Sequence, residues 1–171
     1  MKNILLTGGA GYIGSHAARL LIKKKYNVVI IDNLSTGSKK LLPDKAKFYN
    51  LDIKDYVSLD KVFSKHKFSS IMHFAGCLSV PESQLNPKKY YLNNVFGTQV
   101  LLDLTKKYGL KNFIFSSTCA VYGGVRGSVT EKTLKNPESY YGKTKDICEE
   151  LIKSYSIRSK FQYVILRYFN V

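Results

Sequence analysis

The feature that most constrains the fold is an alternation of short apolar segments with amphipathic ones along the chain. Segments such as Ile4-Leu5-Leu6 and Val28-Val29-Ile30-Ile31 are continuously apolar, as in strands buried on both faces of a parallel sheet. The predicted strands cover 3–7, 28–32, 47–51, 70–74, 112–117 and 163–168, and the predicted helices cover 12–25, 55–66, 87–108 and 139–158. Strands that alternate with helices form right-handed crossover units, so the sequence predicts an α/β fold with a doubly wound parallel sheet flanked by helices.

A glycine-rich turn follows the first predicted strand and opens the first predicted helix. Gly8, Gly11 and Gly14 have the spacing GxxGxxG, which permits a tight turn, close approach of a pyrophosphate and close packing of the helix on the sheet. Asp32 ends the second strand 18 residues after Gly14, where a carboxylate accepts hydrogen bonds from ribose hydroxyls and repels a 2′-phosphate. The pattern predicts a Rossmann-type dinucleotide site that prefers NAD over NADP. The alternative is a glycine-rich turn beside an ordinary surface aspartate.

A second motif places Tyr141 and Lys145 four residues apart in a predicted helix, so that they share one face. A phenol with a pKa of about 10 is a poor base at neutral pH. The positive charges of Lys145 and of an oxidised nicotinamide would together lower it. Thr118 ends the run Ser116-Ser117-Thr118 at the carboxyl end of a predicted strand, the edge where open α/β sheets bind ligands. We expect Tyr141 to act as a general base, Lys145 to assist it and a hydroxyl of this run to help pass the proton, although isolated Tyr and Lys residues also occur by chance.

The charge balance is strongly basic, with 27 Lys and Arg residues against 12 Asp and Glu residues and a net charge of +15. Only four of the basic residues are Arg, the residue that best reads bases and phosphates, and the lysines form short scattered runs. We therefore interpret the lysines mainly as solvated helix ends and expect no nucleic-acid partner. The chain has no apolar run long enough to predict a membrane span. Cys77, Cys119 and Cys148 are too widely spaced for a metal site, which favours a reducing, cytoplasmic location.

Seven segments together resemble the extended short-chain dehydrogenase/reductases, and within them the UDP-glucose 4-epimerase family. They are GGAGYIGSH (8–16), DNLSTG (32–37), HFAG (73–76), Asn93-Asn94 with Gly97-Thr98, FIFSSTCAVYG (113–123), YYGKTK (140–145) and LRYFN (166–170). They follow the order and spacing of that family and span the whole chain. The resemblance implies that residues 1–171 form the NAD-binding Rossmann domain. It also implies that a C-terminal domain, which binds the UDP-sugar, is missing.

The resemblance also implies a role for each matching position. The positions implied to bind NAD are Gly8, Gly11, Tyr12, Ile13, Gly14, Asp32, Asn33, Ser35, Thr36, Gly37, Asp52, Ile53, Phe74, Ala75, Gly76, Asn93, Tyr141, Lys145, Tyr168 and Phe169. Thr118, Tyr141 and Asn170 would contact the sugar nucleotide. The resemblance also makes Thr118 the catalytic hydroxyl that relays the proton. The family often has Ser at this position, and Thr118 keeps the hydroxyl group.

The activity implied by this resemblance is the NAD-dependent interconversion of UDP-glucose and UDP-galactose. Tyr141 would take the proton of the sugar 4-hydroxyl while C4 gives hydride to NAD, and the hydride would return to the other face of the sugar. The full-length family implies a homodimer, and the chain by itself could be inactive.

Three alternatives remain open. The first is an epimerase of another UDP-sugar, such as a pentose, a uronate or an N-acetylhexosamine. The second is a nucleotide-sugar 4,6-dehydratase, which Cys119-Ala120 disfavours because neither side chain transfers protons well. The third is a non-enzymatic NAD-binding regulator.

Overall fold

Six parallel strands form one sheet in the order β3-β2-β1-β4-β5-β6 in the computed structural model, which describes residues 2–170. The strands are β1 (Asn3–Thr7), β2 (Asn27–Asp32), β3 (Lys47–Asn50), β4 (Phe68–His73), β5 (Asn112–Thr118) and β6 (Gln162–Tyr168). All six predicted strands are present, and their ends differ from the prediction by at most two residues. The strand order reverses between β1 and β4, which is the arrangement of a doubly wound sheet. The predicted fold class is therefore confirmed.

Helices connect the strands except between β2 and β3, which a loop with a short 3₁₀ turn (Lys39–Leu41) joins. The helices are α1 (Tyr12–Lys23), α2 (Tyr56–Lys65), α3 (Val80–Leu85), α4 (Pro87–Tyr90), α5 (Gly97–Lys107) and α6 (Tyr140–Ser159). The predicted helix over 87–108 is divided, because a π-helical segment (Tyr91–Phe96) joins α4 to α5. The sequence did not predict α3, which is too short to show a helical period. Within residues 2–170, no helix is long and apolar enough to cross a membrane.

Two apolar clusters cover the two faces of the sheet. Side chains of β1 and β2 alternate between them: Leu5 and Ile31 pack with α2, α5 and α6, whereas Leu6 and Ile30 pack with Ala18 of α1. Burial on both faces is therefore confirmed for β1 and β2. On β5 only one face is buried, through Phe113 and Phe115, because Ile114 and its register partner Val164 on the edge strand β6 stay partly exposed.

His73 ends β4 and is buried, with 1% of its surface exposed. The Thr98 hydroxyl donates to the Asn94 carbonyl, so it accepts from His73 Nε2 at 3.0 Å, and the Thr7 hydroxyl then donates to Nδ1 at 2.6 Å. Burial, assisted by the charge of Lys145, lowers the pKa of His73 to about 3. A neutral, doubly hydrogen-bonded imidazole therefore links β1, β4 and α5.

The buried His73 is expected to make stability fall in acid. The unfolded chain binds a proton on this imidazole below a pH of about 6.5, whereas the folded chain excludes it down to a pH of about 3. The free energy of unfolding should therefore decrease between these values by up to about 1.4 kcal/mol per pH unit. Urea unfolding between pH 7 and pH 4 measures this slope, which His73→Gln should flatten and His16→Gln, at an exposed position, should not. Equal slopes for His73→Gln and the wild type would contradict the assignment.

Candidate functional site

A cavity of about 530 Å³ lies among the turns that follow β1, β2 and β4. This size is typical of small-molecule and cofactor sites. The predicted cofactor-binding residues that line it are Gly8, Gly11, Tyr12, Ile13, Gly14, Asp32, Asn33, Ser35, Thr36, Gly37, Ile53, Phe74, Ala75, Gly76 and Asn93. The sheet edge, the glycine turn and the carboxylate that the sequence singles out thus meet around one cavity.

The glycine turn is shaped by close backbone contacts. Gly8 has a φ of +72°, and a Cβ there would lie 2.5 Å from the Ala75 nitrogen. A Cβ on Gly14 would overlap the Gly8 carbonyl oxygen and lie 2.9 Å from the Gly9 Cα. Gly11 lines the cavity and precedes α1 without a capping side chain. Donor groups in the first turn of α1 are therefore left for a ligand, and the helix dipole favours an anionic one.

Asp32 fixes a carboxylate at the end of β2. Its Oδ2 accepts from the Ala10 nitrogen at 3.0 Å and its Oδ1 accepts from the Leu34 nitrogen at 2.8 Å. Each oxygen keeps a further lone pair that can accept from a hydroxyl. Asp52 lies outside the cavity lining, where it accepts from Asn33 Nδ2 at 3.2 Å. The arrangement fits the two hydroxyls of a ribose at Asp32, and it places Asp52 behind Asn33.

Thr118 and Tyr141 come together from β5 and α6. Ser139 caps α6 by accepting from the Gly142 nitrogen at 3.0 Å, which starts the helix beside Tyr141. Burial raises the pKa of the Tyr141 phenol, while an interaction with the Thr118 hydroxyl lowers it in part. The Thr118 oxygen accepts from the Ala120 nitrogen at 3.1 Å, so its proton remains available to the phenol or a ligand.

Lys145 is buried in the same helix as Tyr141, with 5% of its surface exposed. Its Nζ donates to the Ser116 carbonyl oxygen at 2.8 Å and lies 4.7 Å from the centre of the Phe115 ring. Burial lowers the pKa of this ammonium. In this structure the Lys145 ammonium is directed at the Ser116 carbonyl and burial dominates the pKa of the Tyr141 phenol, so the lowering of that pKa by Lys145 stays a prediction for the site with NAD bound.

One of the catalytic candidates, Lys145, lies close to residues that line the cavity. Ser116 and Gly76 line it, and Lys145 Nζ lies 3.2 Å from where a Cβ on Gly76 would stand. Thr118, Tyr141 and Lys145 themselves are not among the lining residues. Tyr168, Phe169 and Asn170 also lie outside the lining, at or just beyond the end of β6, and the Phe169 side chain is largely exposed. In residues 2–170, no cluster of three or more His, Cys, Asp or Glu residues could hold a metal ion.

Two features of the site, the contacts of Asn94 and the ion pair of Glu82 with Lys89, were not predicted from the sequence. Asn94, buried in the π-helical segment, accepts from the Cys77 nitrogen at 2.8 Å and donates to the Cys77 oxygen at 3.0 Å, which fixes the turn after β4. A pair of asparagines within a predicted helix was the available signal. Glu82 and Lys89 line the cavity as an ion pair, and no spacing in the sequence indicates that they meet.

The whole chain is similar to known epimerases. The sequence profile described as the NAD dependent epimerase/dehydratase family matches residues 4–171. The probable UDP-arabinose 4-epimerase 3 of Arabidopsis thaliana is 43% identical, over 100% of this chain and 44% of that protein. The UDP-glucose 4-epimerase of Rhizobium meliloti (strain 1021) is 43% identical, over 99% of this chain and 52% of that protein. The chain thus spans about half the length of the curated relatives that it matches.

A solved structure confirms the fold as well as the family. The crystal structure of UDP-glucose 4-epimerase from Brucella ovis in complex with NAD matches with a TM-score of 0.95 and 43% identity, over 99% of this chain and 52% of that one. The matched region contains the glycine turn, Asp32, and the pair Tyr141 and Lys145. The chain belongs to the NAD dependent epimerase/dehydratase family.

Proposed function

We propose that this chain is the NAD-binding part of an enzyme that inverts C4 of a UDP-sugar, with UDP-glucose and UDP-galactose as the substrate pair. The observation that carries the proposal is that Lys145 of α6 donates to the Ser116 carbonyl of β5 and lies beside Gly76, and both Ser116 and Gly76 line the cavity. Tyr141 and Thr118, which interact with each other, lie on these same two elements. Relatives named as UDP-glucose and UDP-arabinose 4-epimerases support the reaction class.

The residues around the cavity fit NAD. The first-turn donors of α1 would bind the pyrophosphate, and Asp32 would accept from the hydroxyls of the adenosine ribose. Lys145, beside Gly76, would reach the hydroxyls of the nicotinamide ribose. When bound, NAD supplies the hydride acceptor and later the hydride donor. Epimerisation has no net redox change, so the site must keep its cofactor between turnovers.

Tyr141 and Thr118 would carry out the proton transfer. The phenolate of Tyr141 would accept the proton of the sugar 4-hydroxyl, and the free proton of Thr118 would stabilise the oxygen that carries the charge. Burial alone keeps this phenol protonated, so the base depends on positive charge brought near it. A Lys145 ammonium that turns from the Ser116 carbonyl toward the ribose would add such charge.

The relatives also indicate a second candidate for the sugar of the substrate. A pentose is a second candidate, because the Arabidopsis UDP-arabinose enzyme is as similar to this chain as the Rhizobium UDP-glucose enzyme. The residues after Thr118 do not favour a dehydratase: Cys119 and Ala120 form a 3₁₀ turn that presents no carboxylate.

Exposed apolar side chains on the helices support a homodimer. Leu92 and Phe96 lie one turn apart in the π-helical segment, and Ile147 lies on α6; each is at least 40% exposed. We propose that these helices pair with a second copy, which would cover this apolar surface. The three free cysteines, Cys77, Cys119 and Cys148, support a reducing, cytoplasmic compartment.

A fusion protein tests the function. This chain would be joined to the C-terminal half of the Rhizobium meliloti epimerase, and conversion of UDP-galactose to UDP-glucose would be followed by a coupled assay. The proposal predicts turnover that requires both halves. A folded fusion that binds NAD but converts neither UDP-galactose nor UDP-arabinose would contradict it.

Asp32 provides a separate test of the cofactor. Asp32→Asn removes the negative charge that repels a 2′-phosphate while keeping one acceptor oxygen. We expect the preference for NADH over NADPH to fall by about a hundredfold or more, a change of about 2.7 kcal/mol. Fluorescence titration with both nucleotides measures it. Asp44→Asn, which removes an exposed carboxylate outside the cavity lining, is the charge-matched control and should keep the wild-type preference.

A further inference from the structure

A buried carboxylate connects α6, which carries Tyr141 and Lys145, to β5, which carries Thr118, and to the neighbouring strand β6. Glu149 of α6 is fully buried and lies outside the cavity lining. Its Oε1 accepts from Ser117 Oγ at 2.6 Å and from Arg167 Nε at 2.9 Å, and its Oε2 accepts from Arg167 Nη2 at 2.7 Å. One side chain of α6 is therefore bonded to β5 and to β6 at the same time.

The two residues that Glu149 holds are register partners. Ser117 of β5 pairs with Arg167 of β6, and the next pair along the strands is Thr118 with Tyr168. The carboxylate thus fixes the two strands one residue before the Thr118 hydroxyl. Because successive strand residues point to opposite faces, the hydrogen bond between Glu149 and Ser117 sets the position of Thr118 although Glu149 does not contact Thr118.

The same helix face carries the other catalytic candidates. Glu149 follows Lys145 by four residues and Tyr141 by eight, so the three lie along one side of α6. Lys145 makes the second tie to β5, through the Ser116 carbonyl. The distance between the Tyr141 phenol and the Thr118 hydroxyl is therefore set by contacts at the two residues that precede Thr118 in β5 and by their partners along α6.

The loop before Tyr141 is fastened to the same cluster. Lys135 forms ion pairs with Glu149 Oε2 at 3.4 Å, with Glu150 Oε1 at 2.7 Å and with Asp146. Arg167 Nη1 donates to the Tyr122 hydroxyl at 2.7 Å. Burial raises the pKa of Glu149, but hydrogen bonds from Arg167 and Ser117 outweigh it and hold the pKa below its usual value. The carboxylate therefore stays ionised at neutral pH, and the cluster keeps its full set of bonds.

We propose that Glu149 is a positioning residue, which holds the Thr118 hydroxyl next to the Tyr141 phenol by its hydrogen bonds with Ser117 and Arg167. Its importance for turnover rests on the proposed function, whereas its effect on the phenol does not. Glu149 touches neither the cavity nor any group expected to react. It acts on the reaction through the elements that it holds together.

The test measures the titration of Tyr141 in this chain, without NAD or sugar. Tyrosine labelled with ¹³C at Cζ reports ionisation by NMR, and Tyr141→Phe identifies the signal among the 13 tyrosines. The variants are Glu149→Gln, Ser117→Ala, which leaves the Arg167 ion pair intact, and Ser117→Thr, which restores a hydroxyl. Glu150→Gln, the adjacent and exposed partner of Lys135, is the matched control.

Loss of the hydrogen bond between Glu149 and Ser117 should weaken the interaction between Thr118 and Tyr141. The pKa of Tyr141 should therefore rise further in Glu149→Gln and Ser117→Ala. It should stay at the wild-type value in Glu150→Gln and return toward it in Ser117→Thr. In the fusion protein, Ser117→Ala should lower kcat about tenfold with little change in KM.

Variants that lose stability while Tyr141 titrates as in the wild type would overturn the proposal, because the cluster would then be merely structural. If Glu149→Gln does not fold, Ser117→Ala decides between the two outcomes. A chain that shows the titration shift but binds no NAD would contradict the proposed function alone.

Discussion

Replacing Tyr141 with Phe is expected to lower the epimerisation rate of the fusion protein by about 10³- to 10⁴-fold. The ring remains, so the packing of α6 against the site is kept, and only the oxygen that accepts the 4-hydroxyl proton is lost. Thr118 cannot replace it, because an aliphatic hydroxyl is not a base at neutral pH. NAD binding should change little, since most of the cavity lining comes from other elements.

The neighbouring tyrosine provides the control. Tyr140 is the preceding residue, has the same ring and is 38% exposed, so Tyr140→Phe should keep the wild-type rate. Initial rates at saturating UDP-galactose, with NAD content measured in each preparation, distinguish loss of chemistry from loss of cofactor. If Tyr141→Phe retained more than about a tenth of the wild-type rate, another group would have to be the base.

Gly14→Ala is expected to cost about 3 kcal/mol of stability. The added Cβ would overlap the Gly8 carbonyl oxygen and press on the Gly9 Cα, and these are backbone atoms that no rotamer change can relieve. Against a typical total of about 5–15 kcal/mol, such a loss is large. The turn would also open, so NAD affinity should fall together with stability. Urea unfolding and nucleotide titration measure the two effects.

Gly11→Ala separates ligand binding from folding. A Cβ there meets only the Gly8 oxygen, at 3.3 Å, and the φ of −84° suits alanine. The free energy of unfolding should therefore change by less than about 1 kcal/mol. The methyl group would stand where the pyrophosphate approaches, so NAD affinity should fall about a hundredfold. Equal losses of stability in Gly11→Ala and Gly14→Ala would contradict the different roles assigned to these glycines.

Sequence patterns predicted the sheet and the nucleotide end of the site because both depend on local signals. Continuous apolar segments marked the strands, and the glycine spacing together with Asp32 located the cradle. These residues are fixed by contacts that their own types make obligatory, such as the backbone approach at Gly8 and Gly14. Fifteen of the predicted cofactor positions line the cavity as a result.

The catalytic end was harder to predict because it depends on contacts between distant residues. The direction of the Lys145 ammonium is set by the Ser116 carbonyl 29 residues away, which no helical spacing reveals. The hydrogen bonds of Glu149 with Ser117 and Arg167 likewise join three separate elements, α6, β5 and β6. The break of the helix at Tyr91–Phe96 places Asn94 against Cys77, again through a tertiary contact.

The most direct test of the account is the nucleotide content of this chain. The purified chain would be denatured and its supernatant assayed for NAD(H), and any empty protein would be titrated with NAD. About one bound nucleotide per chain is expected, and Gly11→Ala should lower this content at the same protein concentration. A folded chain that releases no nucleotide and fails to bind NAD on titration would contradict the assignment of the cavity as an NAD site.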